Sequence, residues 1–246
     1  MQLLRACLIL TTLTALSLLT GPAYAQPPLK PVLIFLHGSP PLGEQFQPYN
    51  DDPDLRAAAE IIADDRPGFG SKTSRRFVPF VEQVHDVVAK VENASGPVTL
   101  VGYSYGAVIA MAAAQVTGRF IPGKIQNLVL IAGTYNPAHV SNHILLRASQ
   151  WPILGKVYPL SIKQSHFEIE ALPRDLADTV RGLAHITARI TAIHGSHDPL
   201  TPEKDLDVIS QAGGTVFTLN QADHSIIQSE FSFIKRELLR LLKLGK

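Results

Sequence analysis

The chain has 246 residues, 46% of them hydrophobic, with 22 Lys and Arg against 21 Asp and Glu. That length suits one globular domain with a sizeable core, and the even charge balance gives no electrostatic reason to bind nucleic acid or anionic lipid. No low-complexity tract, internal repeat or run of like charges points to a disordered or solenoid chain.

The first 25 residues differ from the rest. Arg5 is their only charged residue, "LILTTLTALSLL" runs from Leu8 to Leu19, and Ala23-Tyr24-Ala25 precedes Gln26. A basic start, an apolar middle of about 7–15 residues and an A-x-A exit form the pattern of a secretory signal peptide. The apolar run is short for a membrane span, which needs about 20 residues. The expectation is therefore cleavage after Ala25, a domain over 26–246, a periplasmic or secreted location and no lasting membrane anchor. Cleavage removes Cys7, the only cysteine. The remaining chain can fold in an oxidising compartment without disulfides, and it has no thiol nucleophile.

Beyond that segment, strands alternate with helices. Val32–His37 is a continuous apolar run, as expected of a strand buried on both faces. A short helix over "DLRAAAE" precedes a second strand, "IIADDR", ending at Arg66. Phe80, Val84, Val87, Val88 and Val91 recur at helical spacing. Val98–Gly102 is a strand, and the helix after it, from Tyr105 to about Gly118, is apolar nearly all round and hence buried. "IQNLVLIAG" and "ARITAIHG" are strands, Glu203–Ala212 is a helix, and "GTVFTLN" is a strand. Ile227, Phe231, Ile234, Leu238 and Leu241 form one stripe on a last helix. This order predicts an α/β fold: a mostly parallel sheet of about six strands with helices on both faces.

One segment breaks the alternation. Residues 134–187 lie between two strands, far longer than an ordinary connection of about 2–6 residues. They read as a helical lid inserted after the strand ending near Gly133, rather than a plain crossover helix with loops. Trp151, the only tryptophan, with Tyr158 and Phe167, would roof an apolar substrate site, and Trp151 is the candidate binding residue.

The chemistry starts at "GYSYG", Gly102–Gly106. G-x-S-x-G between a strand and a helix is a nucleophile elbow. The glycines allow close backbone approach, and Ser104 is pushed out at the carboxyl end of the sheet, where open α/β sheets bind ligands. A serine hydroxyl needs a base. His224, in "NQADHS" after the last strand, reaches the same sheet end. Asp198, in "IHGSHDPLTP" after the preceding strand, can orient His224. Asp223 is adjacent to His224, but neighbouring side chains point apart. A metal cluster of His194, His197 and Asp198 matches no common ligand spacing. His85 reads as a surface residue, and His139, His143, His166 and His185 lie in or beside the lid, most of them solvated.

Developing negative charge on a substrate oxygen needs N–H donors. Tyr105, directly after Ser104, supplies one from its backbone. In the loop "HGSPPLG", Pro40 and Pro41 have no N–H, which leaves Gly38, Ser39 or Leu42, with Ser39 closest to the strand end. His37 reads as a brace for this loop.

Taken together, "HGSP" (His37–Pro40), "DRPGFGSK" (Asp65–Lys72), "GYSYG", "GSHDPLTP" (Gly195–Pro202) and "ADHS" (Ala222–Ser225) resemble the α/β-hydrolase superfamily, in its lidded single-domain branch. The resemblance covers nearly all of residues 26–246 in order. It implies a triad of Ser104, Asp198 and His224, oxyanion donors at Ser39 and Tyr105, and no cofactor or metal. In the family "DRPGFG" is a structural turn, and no chemistry is assigned to it. The usual N-terminal antiparallel meander is missing, since only Gln26–Pro31 precede the first strand. Serine at the nucleophile position argues against the haloalkane dehalogenase and epoxide hydrolase relatives. The expectation is a secreted serine hydrolase that cleaves an ester of a small molecule through an acyl-enzyme. The alternatives are an amide, lactone or carbon–carbon bond hydrolase on the same triad, or a non-catalytic binder of this fold.

Overall fold

The computed structural model describes residues 29–41, 45–74, 76–140 and 158–244. The segment expected to be a signal peptide, Leu42 and Trp151 lie outside the described residues.

Chain order is β1 (Val32–Leu36), α1 (Gln47–Asp51), α2 (Pro53–Ala58), β2 (Glu60–Ile62), α3 (Phe80–Asn93), β3 (Val98–Tyr103), α4 (Tyr105–Phe120), β4 (Ile125–Ile131), α5 (Leu160–Arg181), β5 (Arg189–Gly195), α6 (Leu206–Gln211), β6 (Thr215–Leu219), α7 (Ile226–Ser229) and α8 (Phe231–Leu244). The six strands form one sheet in the order β2-β1-β3-β4-β5-β6, and every pairing is parallel. The expected fold class holds, with no antiparallel strand among the described residues.

Strand periodicity sorts the core into two layers. Val32, Ile34 and Leu36 face the layer holding Val84, Val87 and most of α4, whereas Leu33 and Phe35 face the layer holding Leu55, Ile234, Leu238 and Leu241. Helix α4 is buried along most of its length, as its apolar composition predicts. Helix α2 starts where Asp52 Oδ1 accepts from the N–H groups of Asp54 and Leu55, both at 3.0 Å, with Pro53 in the first turn.

Two boundaries differ from the sequence reading. Strand β2 stops at Ile62 rather than Arg66, because the residues after it are taken by other partners. Asp64 pairs with Lys72 and Lys90, Asp65 accepts from Ser71, and Arg66 turns inward. The last helix is split at Glu230 into α7 and α8. In the insertion between β4 and β5, Leu172 and Leu176 of α5 join the core as a crossover helix would. The amino-terminal half of the same helix reaches the "DRPGFG" turn through Glu168 and Arg66, and Gln164 bonds both backbone groups of Val78. Phe167 is 41% exposed, and its ring lies tilted against that of Phe77.

The chain runs from β1 outward to β2, then back past β1 to β3. Strand order therefore reverses between β1 and β3, and their carboxyl ends flank the crevice where such sheets bind ligands.

Candidate active site

Ser104 sits at that crevice, between β3 and α4. Its backbone is at φ 54°, ψ −123°, a conformation that costs on the order of 1–3 kcal/mol for a residue other than glycine. Neighbouring structure holds it there. The Ser104 N–H continues the ladder to the Ile131 carbonyl at 2.8 Å. A Cβ on Gly102 would lie 2.4 Å from the Gly106 carbonyl oxygen, and one on Gly106 would lie 2.3 Å from that of Leu36. Both glycines are needed for close approach, not for an unusual φ.

His224 Nε2 lies 3.0 Å from Ser104 Oγ, and His224 Nδ1 lies 2.7 Å from Asp198 Oδ2. The partners dictate the tautomer: Nδ1–H donates to the carboxylate, and Nε2 offers its lone pair to the serine hydroxyl. Asp198 also accepts from the N–H groups of Leu200 and Thr201 at 2.8 and 3.1 Å and from Thr201 Oγ1 at 2.7 Å. Burial pushes its carboxyl up, but the bond and charge of His224, with the Thr201 and Leu200 donors, outweigh this and hold it below the ordinary aspartate value. Asp223 instead accepts from Ser225 N–H at 2.8 Å, closing its own turn.

The two loops that carry Asp198 and His224 are stitched together. His197 N–H donates to the Ala222 carbonyl, Ser196 N–H to that of Leu219, and Gln221 N–H to Ser196 Oγ. Two residues to which the sequence reading gives no role here reinforce them. Tyr103 donates its hydroxyl to the His224 backbone carbonyl at 2.8 Å. The buried ring of His194 bonds the Thr201 carbonyl at 2.8 Å, bracing the turn that holds Asp198. Both lie at strand ends, Tyr103 inside "GYSYG" and His194 directly before "GSHDPLTP", where alternation alone marks them as core.

The loop after β1 carries the predicted donor Ser39. Its brace is His37, as expected: Nδ1–H donates to the Gly38 carbonyl at 2.8 Å, and Nε2 accepts from Arg66 N–H at 3.0 Å. Burial and the Arg66 charge lower the His37 pKa to about 3. Beside it lies a cluster that the sequence reading passed over. Arg66, in the turn given no chemistry, is 1% exposed and paired with the fully buried Glu168. Gln83 bonds both of them. The usable signal was a polar residue on each apolar stripe, Gln83 beside Val84 and Val87 on α3, and Glu168 ahead of Leu172 and Leu176 on α5.

The remaining histidines divide. His85 and His185 are exposed, as read. His166 is buried and His139 bonds Asp205 at 2.5 Å, so neither is simply solvated; His143 lies outside the described residues. Among the described residues no group of three or more His, Cys, Asp or Glu is placed to hold a metal ion.

Comparison with known proteins agrees with this fold. A sequence model of the alpha/beta hydrolase family matches residues 33–231. Comparison with curated proteins gives no match. Among solved structures, a monoacylglycerol lipase from Paleococcus ferrophilus is similar at TM-score 0.66 and 17% identity, over 87% of this chain and 95% of that one. An esterase from Exiguobacterium antarcticum is similar at TM-score 0.65 and 20% identity, over 86% and 91%. A protein assigned as a non-heme bromoperoxidase from Mycobacterium tuberculosis reaches 0.66 at 17% identity, over 87% and 92%. At these identities the likeness is one of fold. With the family model spanning most of the residues that build the sheet and its carboxyl-end loops, the chain belongs to the alpha/beta hydrolase family.

Proposed function

We propose that this protein is a serine hydrolase that cleaves carboxylic esters through an acyl-enzyme. The observation that carries the reading is the continuous chain Ser104 Oγ, His224, Asp198, with contacts of 3.0 and 2.7 Å, on a strained elbow. Ser104 Oγ attacks the ester carbonyl while His224 Nε2 takes its proton. The oxyanion is received by the backbone N–H groups of Ser39 and Tyr105. As the tetrahedral centre collapses, the C–O bond to the alcohol breaks and His224 returns the proton to the leaving oxygen. Water then attacks the acyl-serine by the same steps, releasing the acid and restoring Ser104. Asp198 holds the imidazole tautomer throughout.

The names of the similar lipase and esterase favour an ester over other acyl bonds, and an apolar portion of the substrate would lie under the insertion carrying Trp151. The Ala23-Tyr24-Ala25 sequence supports export, with the mature chain starting at Gln26; the intact mass of protein recovered from the periplasm or medium tests this, and recovery of the full-length chain in the cytoplasm counts against it. For the activity, the purified protein is assayed against matched ester, amide and lactone panels, with rapid acid quenching and mass spectrometry. Turnover concentrated in the ester arm, with an acyl adduct on Ser104, supports the reading. Turnover confined to amides or lactones, or none in any arm, contradicts it.

A further inference from the structure

The peptide group that joins Gly38 to Ser39 carries both a braced carbonyl and the proposed donor. Its carbonyl belongs to Gly38 and its N–H to Ser39. A trans peptide is planar, with these two groups pointing in opposite directions, so fixing the carbonyl aims the N–H. The Gly38 carbonyl accepts from Arg66 Nη2 at 3.0 Å as well as from His37 Nδ1 at 2.8 Å. Arg66 Nε holds the preceding carbonyl, that of His37, at 2.9 Å. On the other side of the loop the nucleophile is in contact range, since a Cβ on Gly38 would lie 2.9 Å from that of Ser104.

Arg66 is in turn aimed from the insertion. Glu168 on α5 meets it in a two-pronged pair, Nη1 to Oε1 at 3.0 Å and Nη2 to Oε2 at 3.2 Å. Gln83 accepts from Arg66 and donates to Glu168 Oε1 at 2.7 Å, and Gln164 donates to the same oxygen at 3.2 Å. A planar guanidinium sealed from water and gripped at both ends has one orientation. Its charge also polarises the peptide whose oxygen it binds, which strengthens that peptide's N–H as a donor.

We infer that Arg66 is a positioning residue for the oxyanion donor Ser39, and that Glu168, with Gln83, couples the placement of the insertion's helix to that donor. This rests on the serine-hydrolase reading above. Arg66 and Glu168 have no hydrogen bond to Ser104; they act through the Gly38–Ser39 peptide.

The test uses full-length wild type and the variants Arg66→Lys, Glu168→Gln and Gln83→Met, each checked for folding by circular dichroism at the assay temperature. An aryl trifluoromethyl ketone is the probe, because its adduct with a catalytic serine carries an oxyanion and the substrate ester does not. Removing an oxyanion donor outright lowers kcat by about 10²–10³-fold, so misaiming one is expected to lower kcat by about 10–100-fold. KM stays close to wild type, the ketone inhibition constant rises in parallel with the loss of kcat/KM, and Gln83→Met gives the smallest change. Gln83→Met keeps the test decisive if the charge variants fail to fold. Folded variants whose inhibition constants stay within about twofold of wild type, or that change KM alone, overturn the inference while leaving the hydrolase reading intact. A wild type that neither binds the ketone nor turns over esters overturns both.

Discussion

His224 in the Ser104–His224–Asp198 cluster keeps 16% of its side chain exposed, whereas Arg66 and Glu168 in the neighbouring cluster keep 1% and 0%. Both clusters set a carboxylate against a nitrogen base or cation, and both contain a histidine with both ring nitrogens engaged. They differ in what their last contact is. His224 ends on a serine hydroxyl at the mouth of the sheet, a group that can give up its proton. His37 ends on a backbone N–H and a backbone carbonyl, which cannot. The open cluster is arranged for proton transfer; the sealed one is arranged to stay still. Substitution in the first should change rate and leave the fold, and substitution in the second should weaken the fold as well.

The largest expected effect is in the open cluster. Ser104→Ala should lower kcat by about 10⁶-fold, the scale seen when a triad nucleophile is removed, with a denaturant midpoint close to wild type. Asp198→Asn should leave the circular dichroism spectrum intact and lower kcat by about 10⁴-fold through the wrong imidazole tautomer. Asp223→Asn, which only loosens the Ser225 turn, should change kcat little on the same activated ester. The reverse ranking of the two aspartates would mean that Asp198 is misassigned.

In the sealed cluster the readout is stability. Glu168→Leu leaves the buried Arg66 cation without its partner, a loss of about 3–5 kcal/mol by urea unfolding when one member of a buried pair is removed. A loss under about 1 kcal/mol would show the pair to be dispensable for folding.

How much of this was legible in the sequence follows from the same contrast. Ser104, Asp198 and His224 each lie in the turn that follows a strand and carry a local signature, so "GYSYG", "GSHDPLTP" and "ADHS" mark them without any knowledge of the fold. The six strands and their parallel pairing needed only the alternation of apolar runs with helices. Arg66 is different: its partners are 17, 28, 29 and 102 positions away, and buried charge is the exception that periodicity reads as surface. The end of β2 at Ile62 was missed for the same reason, since Asp64, Asp65 and Arg66 leave the sheet for side-chain partners that only the tertiary structure supplies.

The smallest expected effect concerns pH. His37 titrates near 6.5 when unfolded and at about 3 in the fold. Between those values the unfolded chain binds the extra proton, so stability is full above about pH 6.5 and falls as pH drops toward 3, by at most about 1.4 kcal/mol per pH unit from this group. Urea unfolding at pH 7, 6 and 5 should show His37→Gln losing less on acidification than wild type. Equal losses would place the acid sensitivity elsewhere.

The open cluster as a catalytic device is tested most directly by fluorophosphonate labelling followed by peptide mass spectrometry. The account predicts one adduct, on Ser104, formed by wild type, absent from Ser104→Ala and strongly slowed in His224→Ala. An adduct on another serine, or ester turnover that survives in Ser104→Ala, would contradict it.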